Sequence, residues 1–273
     1  MSHTAAVSDS TREEPLRITV VSCHDYAWDT VRELSQLDGV VVVGFLQGEL
    51  PRARLLVRIR RFLRAQGPRV LQAAIYSIAR KLRRAVGRHG ARSSSAVSGV
   101  PHVRLGSLNA PEAIEALESL KPDLMVVDGA NILQPDFFAR PRYGAINLHC
   151  GKLPDFRGMP PAFWELYHGV PEVGVSVHAV SARLDEGAVL AAASVPLDLA
   201  PPGDPVTYVS QFWRERLRPV GMQLIARTVR SIADGTASPT PQPPASRPPF
   251  RAPSFSEQQE LRRRVAQRRN GMV

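Results

Sequence analysis

The hydrophobic pattern near the N-terminus predicts a strand, a helix and a second strand. Residues 16–22 are apolar and rich in β-branched side chains, and residues 25–37 repeat apolar positions at helical spacing. Residues 40–45 form another short apolar run. Because a strand, a helix and a strand over about 30 residues form a βαβ unit, we expect the two strands to be parallel.

The same rhythm resumes after residue 100. Strands are predicted at 102–105, 123–127, from 144 onward, 173–180 and 188–195, and helices at 111–120, near 135–138, at 160–168 and at 205–234. Residues 173–180 alternate strictly, which is typical of a strand, and residues 188–195 are its expected antiparallel partner. The pattern as a whole predicts an α/β fold with a mostly parallel sheet flanked by helices.

A basic segment interrupts this pattern at residues 49–97. Within it, residues 51–92 hold 13 Arg and Lys and no Asp or Glu, whereas the rest of the chain holds 22 basic and 25 acidic residues. This segment therefore accounts for the formal net charge of +10. It predicts a basic helical hairpin, with helices at 52–65 and 69–86, the second of which has an apolar face.

The two ends of the chain differ from the body. Residues 1–15 lack the apolar core of a signal peptide and predict a disordered leader. Residues 235–253 contain seven prolines in 19 positions, which predicts an extended, structureless tail, and residues 257–269 predict a short basic helix within the tail 235–273. One α/β domain is thus expected at 16–234. Two cysteines and no apolar run of about 18 residues favour a cytoplasmic protein.

The strand that begins near residue 144 ends in two polar side chains, Asn147 and His149. They are two positions apart, so strand alternation places them on one face and Cys150 on the other. Gly151 and Pro154 then break the strand. Ligands of open α/β sheets bind at such carboxyl ends. Taken alone, however, the pair is more typical of polar groups that close a loop.

A carboxylate further along the chain changes this interpretation. The strand at 173–180 is followed by a loop that carries Asp185. If the two strands are neighbours, an amide, an imidazole and a carboxylate meet at one point. The amide then stabilises an oxyanion, the imidazole carries a proton or polarises a carbonyl, and the carboxylate orients the imidazole. These groups suit acyl transfer to an amine. No dinucleotide, P-loop or zinc-ribbon motif is present.

Three motifs together resemble the folate-dependent formyltransferases: Asn147-Leu148-His149 with Leu153 to Gly158, Gly174 to His178, and Asp185-Glu186-Gly187. The separation of 38 positions between Asn147 and Asp185 is that of the family's Asn-His-Asp triad. The resemblance implies a Rossmann-like sheet and a catalytic role for Asn147, His149 and Asp185. It also implies 10-formyltetrahydrofolate as formyl donor, and no metal.

The resemblance also implies the walls of the site. Asn131, Ile132 and Leu133 match the segment whose backbone binds the pterin ring, and Val180 and Ser181 begin the opposite wall. The residues expected on the acceptor side are Lys152, Arg157, Gly158 and His178. Cys150 is an alternative nucleophile by its position, but direct attack by an amine needs no thiol and strand alternation points it away.

The acceptor is expected to be a primary amine of a small molecule, such as an amino sugar or a specialised metabolite. Residues 22–28 lack the glycine-rich phosphate loop of glycinamide ribonucleotide formyltransferases, and about 40 residues after Asp234 are too few for the β-barrel of methionyl-tRNA formyltransferases. Three alternatives stay open: an enzyme of purine synthesis like the former, a formyltetrahydrofolate hydrolase, and a non-catalytic adaptor bound to membrane or RNA.

The basic hairpin at 51–92 has three interpretations. It is an insertion packed on the body, a clamp for a phosphorylated or nucleotide-linked acceptor, or a site of peripheral contact with an anionic membrane. Nucleic acid is a disfavoured partner, because only Phe62 and Tyr76 interleave with the arginines and no recognition motif is present.

Overall fold

A computed structural model describes residues 14–49 and 97–271. Most of the predicted leader, and the predicted basic hairpin at 51–92, lie outside the described residues. The boundary proposed for that insertion stays a prediction.

Seven strands form one sheet within the described residues. They are β1 (Leu16–Ser22), β2 (Val40–Gly48), β3 (His102–Leu105), β4 (Leu124–Val127), β5 (Ala145–His149), β6 (Glu172–Ala179) and β7 (Val189–Pro196). The order is β3-β2-β1-β4-β5-β6-β7; β1 to β5 are parallel, and β6 and β7 are antiparallel additions. The predicted α/β, Rossmann-like, mostly parallel sheet is confirmed.

Helices cover both faces of the sheet. They are α1 (Ala27–Leu34), α2 (Pro111–Leu120), α3 (Pro135–Phe138), α4 (Phe163–His168), α5 (Pro205–Phe212), α6 (Arg218–Ala233) and α7 (Phe255–Arg269). The helix predicted over 205–234 is helical from Pro205 to Ala233, but a π-helical turn, Trp213–Leu217, lies between α5 and α6. Pro219 has no N–H to donate to the carbonyl of Glu215, so the regular α-helical ladder cannot run through this point.

The sheet divides the core into two apolar clusters, and this division fixes the side on which the polar groups of β5 lie. Ile146 and Leu148 belong to the larger cluster, which includes buried residues of α1, α4, α5 and α6. Ala145 belongs to the second cluster, under α2 and α3. By alternation, Asn147 and His149 lie on the same face as Ala145.

The prediction of a structureless segment at 235–253 is wrong. This segment, called the strap below, is extended but bonded to the body. Thr240 exchanges two backbone hydrogen bonds of 2.8 Å with Val189. The Phe250 amide donates to the Arg157 carbonyl at 2.9 Å, and its ring stacks on Trp164 at 4.9 Å between centroids. Prolines cannot donate, but the residues between them keep both backbone groups, so an extended chain still pairs.

Helix α7 anchors the end of the strap. It starts at a capping box formed by Ser254 and Glu257, and it buries Leu261 and Val265. Two of its arginines cap the end of α4: Arg268 donates to the Leu166 carbonyl at 2.8 Å and Arg264 to the Tyr167 carbonyl at 3.2 Å. Cations at a helix C-terminus satisfy its free carbonyls, so these charges have a structural use.

Candidate active site

Four side chains meet where β5 and β6 lie side by side. Asn147 is directly opposite His178 in the antiparallel register, and their Nδ2 and Nε2 atoms are 3.1 Å apart. Asp185 approaches both histidines: its Oδ2 is 3.7 Å from Nδ1 of His149 and its Oδ1 is 3.6 Å from Nε2 of His178. The structure therefore brings together the three predicted catalytic residues and one residue predicted on the acceptor side.

Asp185 is held as a buried anion. Its Oδ2 accepts a hydrogen bond of 2.9 Å from the Gly158 amide. Burial acts to raise the pKa of the carboxyl, but the neighbouring rings of His178 and His149 and the Gly158 amide outweigh it and lower the pKa to about 2. The carboxylate is therefore ionised at neutral pH.

His149 is buried with one ring nitrogen committed. Its Nε2 is 2.8 Å from the Phe156 carbonyl, an acceptor, so Nε2 carries the hydrogen and Nδ1 faces Asp185. Burial lowers the pKa of His149, although Asp185 and the Phe156 carbonyl act against that shift. The resting ring is therefore a neutral imidazole whose free nitrogen faces an anion. A proton taken up at Nδ1 is stabilised at once by Asp185.

His178 orients the amide of Asn147. Its Nδ1 lies 2.8 Å from the Ala179 carbonyl and donates to it, which leaves Nε2 to accept from Nδ2 of Asn147. The Asn147 amide thus turns its nitrogen, with a second hydrogen still free, toward the site. Asn147 is partly exposed, whereas the exposed fractions of His149, His178 and Asp185 are 7%, 2% and 8%. The amide is the part of this cluster that a ligand reaches.

The other residues predicted on the acceptor side behave differently. Lys152 lies outside the cluster, because its exposed ammonium pairs with Glu172 at 2.6 Å. Arg157 is buried and donates to the Glu186 carboxylate, to the Leu184 carbonyl at 3.3 Å and to the Arg247 carbonyl at 2.7 Å. Its guanidinium therefore holds the loop of Asp185. Gly158 contributes its amide to Asp185.

The residues predicted to bind the pterin ring follow β4 at the same edge. Asn131 donates to the Cys23 sulfur at 3.4 Å, and the carbonyl of Ile132 is fixed by Asn109 at 2.8 Å. The side chain of Leu133 is buried, whereas Ile132 is 64% exposed. A rigid backbone beside an exposed apolar side chain fits one face of a flat ring.

The opposite wall is built on the loop after β6. The Val180 amide donates to the Ala145 carbonyl at 2.7 Å, and its side chain packs on the same apolar cluster as Leu133. Ser181 bonds within its own loop, to the Arg183 carbonyl at 2.9 Å. Both predicted walls therefore rest on the core under α2 and α3.

Cys150 does not have the properties of a nucleophile. It packs against the larger apolar cluster, on the face away from Asn147 and His149. Burial raises the pKa of its thiol to about 12, so the thiolate is essentially absent at neutral pH.

A buried ion pair at the end of β4 was not predicted from the sequence. Asp128 accepts from both Nη atoms of Arg218 at 3.1 Å and from the hydroxyl of Thr30 at 2.5 Å. Arg218 also donates to the Tyr26 carbonyl at 2.7 Å and lies 4.4 Å from the centre of that ring. The available signal was an Asp placed directly after the apolar run of β4.

This ion pair supports an aromatic surface beside the site. The Tyr26 ring stacks on His24 at 4.8 Å and meets Trp213 edge-on at 5.2 Å. All three side chains are partly exposed. A Cβ on Gly129 would lie 2.0 Å from the Tyr26 hydroxyl, so a side chain at this position would push the ring away from the end of β4.

Two further properties of the described part of the chain concern metal binding and membrane insertion. Residues 14–49 and 97–271 contain no group of three His, Cys, Asp or Glu side chains arranged to hold a metal ion. Over the same residues, every helix is too short or too polar to cross a bilayer.

Comparison with known proteins relates the chain to a family. A family model described as formyl transferase matches residues 59–210, which is more than half of the chain. Methionyl-tRNA formyltransferase from Roseiflexus sp. (strain RS-1) is 32% identical over 145 residues, 53% of this chain and 42% of that protein. Methionyl-tRNA formyltransferase from Geotalea uraniireducens is 33% identical over 138 residues, which are 50% of this chain and 42% of that protein. The match thus spans less than half the length of these relatives.

Solved structures share the fold. Glycinamide ribonucleotide transformylase 1 from Symbiobacterium toebii superposes with a TM-score of 0.55 at 20% identity, over 82% of this chain and 90% of that one. A variant of HypX from Aquifex aeolicus superposes with a TM-score of 0.51 at 14% identity, over 92% of this chain and 36% of that one. With the family match over residues 59–210, these results show that the chain belongs to the formyl transferase family.

Proposed function

We propose that this protein is an N-formyltransferase that transfers the formyl group of 10-formyltetrahydrofolate to a primary amine of a small molecule. One observation carries the proposal: Asn147, His149 and Asp185 converge at one point of the sheet in a chain of the formyl transferase family. In this proposal residues 16–234 form the catalytic domain.

The donor is proposed to bind between the two walls described above. The fixed backbone of Asn131, Ile132 and Leu133 and the loop that starts at Val180 and Ser181 would hold the pterin ring. The exposed side chain of Ile132 supports this assignment, because an apolar group beside a polar site gains from being covered by a ring. The bound folate supplies a formyl group on nitrogen, and its nitrogen leaves when the amine attacks.

Asn147 is proposed as the oxyanion donor. His178 fixes its amide so that one N–H is used and the other is free. An N–H held in advance stabilises the charge that develops on the formyl oxygen without having to reorganise. Removal of one such donor typically costs about 2.7–4 kcal/mol of transition-state stabilisation.

His149 is proposed to accept the proton that the attacking amine must lose. Its neutral imidazole and the ionised Asp185 support this role, since the carboxylate stabilises the imidazolium that forms. The same ring then returns the proton to the leaving nitrogen. Asp185 keeps its charge throughout, so it acts by orientation and electrostatics.

An amino sugar, or an amine of specialised metabolism, is the acceptor that we favour. The loop after β1 offers the rings of His24 and Tyr26 in place of a glycine-rich phosphate cradle, and Trp213 of the π-helical turn lies beside them. Such rings stack on the apolar faces of an acceptor. A cavity of about 370 Å³, lined by Cys23, Gln47 and Arg104 among others, extends along the same edge. A phosphorylated or nucleotide-linked acceptor would use this space.

The test is incubation with 10-formyltetrahydrofolate and a panel of amines: nucleotide-linked amino sugars, hydroxyornithine, amino acids and glycinamide ribonucleotide. Mass spectrometry is expected to find one added formyl group on an amino sugar or a specialised amine. Addition to glycinamide ribonucleotide alone would replace the favoured acceptor with that of purine synthesis. Release of formate without an acceptor would identify a hydrolase. No consumption of the donor with any amine would overturn the proposal.

A further inference from the structure

The strap, residues 235–253, crosses the loop that carries Asp185 and is attached to it along the way. Thr240 pairs with Val189, the first residue of β7. Further on, the Arg247 carbonyl accepts from Arg157 at 2.7 Å. A segment with this composition, read alone, predicts a free tail, yet it makes bonds on both sides of the loop.

Gln242 makes the most direct contact with that loop. Its Nε2 donates to the carbonyl of Asp185 at 3.0 Å and to the carbonyl of Gly187 at 2.6 Å. Two acceptors require the NH₂ end of the amide, which fixes the orientation of the side chain. Its Oε1 is buried and has no hydrogen-bond partner among the described atoms. The side chain therefore acts in this structure through its donor end.

The loop needs such support, because its backbone is strained. Asp185 has a φ of +55°, in the left-handed region that non-glycine residues rarely adopt. At Gly187 a Cβ would lie 1.8 Å from the Ala179 carbonyl, so the chain is also tightly confined there. Strained backbone of this kind persists only where surrounding contacts hold it.

The strap also fixes the second support of the carboxylate. The Phe250 amide donates to the Arg157 carbonyl, and the Phe250 carbonyl accepts from Met159 at 3.2 Å. Between these two residues lies Gly158, whose amide binds Oδ2 of Asp185 at 2.9 Å. The strap thus holds the backbone of Asp185 through Gln242 and its carboxylate through the Gly158 turn.

We infer that Gln242 is a positioning residue for Asp185, and that the strap presets the catalytic loop from outside the domain that carries the motifs. The inference rests on the proposed function for the meaning of "catalytic", but the contact itself is independent of any substrate. It predicts that the loss of the Gln242 donor loosens the coupling between Asp185 and His149 while the fold remains.

The experiment compares Gln242→Leu with the matched control Gln258→Leu. Gln258 is the buried glutamine of α7, which donates to the Pro253 carbonyl at 3.2 Å and has no bond to the loop. NMR titration of the His149 ring is the first readout, and Asp185→Asn sets the full effect of losing the carboxylate. We expect Gln242→Leu to move the His149 titration part of the way toward Asp185→Asn, and Gln258→Leu to leave it unchanged.

Turnover is the second readout. With an acceptor from the amine panel, Gln242→Leu is expected to lose roughly 10- to 100-fold in kcat with little change in KM, because a misplaced group weakens the transition state more than binding. If Gln242→Leu does not fold, Gln242→Asn is used in its place, since it keeps the amide and shortens its reach.

Three results would overturn the inference. They are an unchanged His149 titration in Gln242→Leu, an equal change in Gln258→Leu, and no response of His149 to Asp185→Asn. If the wild-type protein formylates no amine, the proposed function fails, whereas the titration still decides whether Gln242 positions Asp185.

Discussion

The surroundings of Asp185 and His149 set the protonation states of these two side chains. The carboxylate is buried, yet two histidines and one amide hold its pKa at about 2. The neighbouring imidazole is shifted by its own burial in the direction that keeps it neutral. The pair therefore combines a permanent anion with a ring that is free to accept a proton.

This pair predicts a specific pH dependence of catalysis. Asp185 raises the proton affinity of His149 against burial, so Asp185→Asn is expected to lower the His149 pKa further. The acid limb of kcat/KM then moves to lower pH while the plateau falls, because the imidazolium loses its counter-charge. A profile of kcat/KM against pH for both proteins measures this. An acid limb that stays in place or moves to higher pH would contradict the assignment.

Glu165 predicts a pH dependence of stability. Burial raises the pKa of this carboxyl from an ordinary 4.5 to about 8, and its Oε1 is unpartnered among the described atoms. Native Glu165 therefore keeps a proton that the unfolded chain releases above pH 4.5. The contribution of Glu165 to the free energy of unfolding is therefore highest below that pH and declines until the pH passes about 8. At pH 7 the loss is about 3 kcal/mol.

Glu165→Gln is expected to remove this decline, since an amide does not ionise. Urea denaturation between pH 5 and about 8.5 measures it. Glu115→Gln, an exposed change on α2, is the control and is expected to keep the slope of the wild-type protein. A wild-type slope in Glu165→Gln would show that another group causes it.

At the scale of elements, the sequence predicted what local patterns determine. Strict alternation identified β6, and the apolar runs identified β1, β2 and β4. The strap was misjudged because its order comes from partners far along the chain, such as Val189 and Arg157. The π-helical turn was missed because apolar periodicity continues across it, while the missing N–H of Pro219 leaves that pattern unchanged.

Gly158 tests the junction between the strap and the catalytic turn. Its φ is +85°, and a Cβ there would lie 2.1 Å from the Phe250 carbonyl. Gly158→Ala is therefore expected to displace the strap, with a loss of about 2–4 kcal/mol in unfolding free energy and of most formyl transfer.

Gly235→Ala is the matched control for Gly158→Ala. Gly235 has a φ of +69° but nothing within 4 Å of the added Cβ, so it carries the strain without the clash. We expect a loss of about 1 kcal/mol by urea denaturation and normal turnover. Equal losses in the two variants would argue against a tight junction.

At the scale of the molecule, the buried Asp128–Arg218 pair joins the sheet to the helices. It links the end of β4 to the start of α6 and, through Thr30, to α1. Arg218→Met would leave Asp128 buried without a counter-charge, at a cost of about 3–5 kcal/mol. The double variant Asp128→Asn/Arg218→Met is expected to recover at least half of that loss in urea denaturation. No recovery would show that Arg218 acts through packing alone.

The candidate site was predicted from the sequence to an unequal degree. Asn147, His149 and Asp185 could be predicted, because strand alternation and a separation of 38 positions are visible in the sequence. Asp128, Arg218 and Gln242 were not, because each acts through a partner that only the fold brings near. Lys152 was assigned to the acceptor side by its position, whereas its ammonium is bonded to Glu172.

Formyl transfer by single-site variants tests whether Asn147, His149 and Asp185 catalyse the reaction. The rate of transfer from 10-formyltetrahydrofolate to the amine is measured for the wild-type protein and for Asn147→Ala, His149→Ala and Asp185→Ala. Circular dichroism verifies that each variant is folded. Each substitution is expected to lower kcat/KM by roughly 100-fold or more. Wild-type rates in all three folded variants would contradict it.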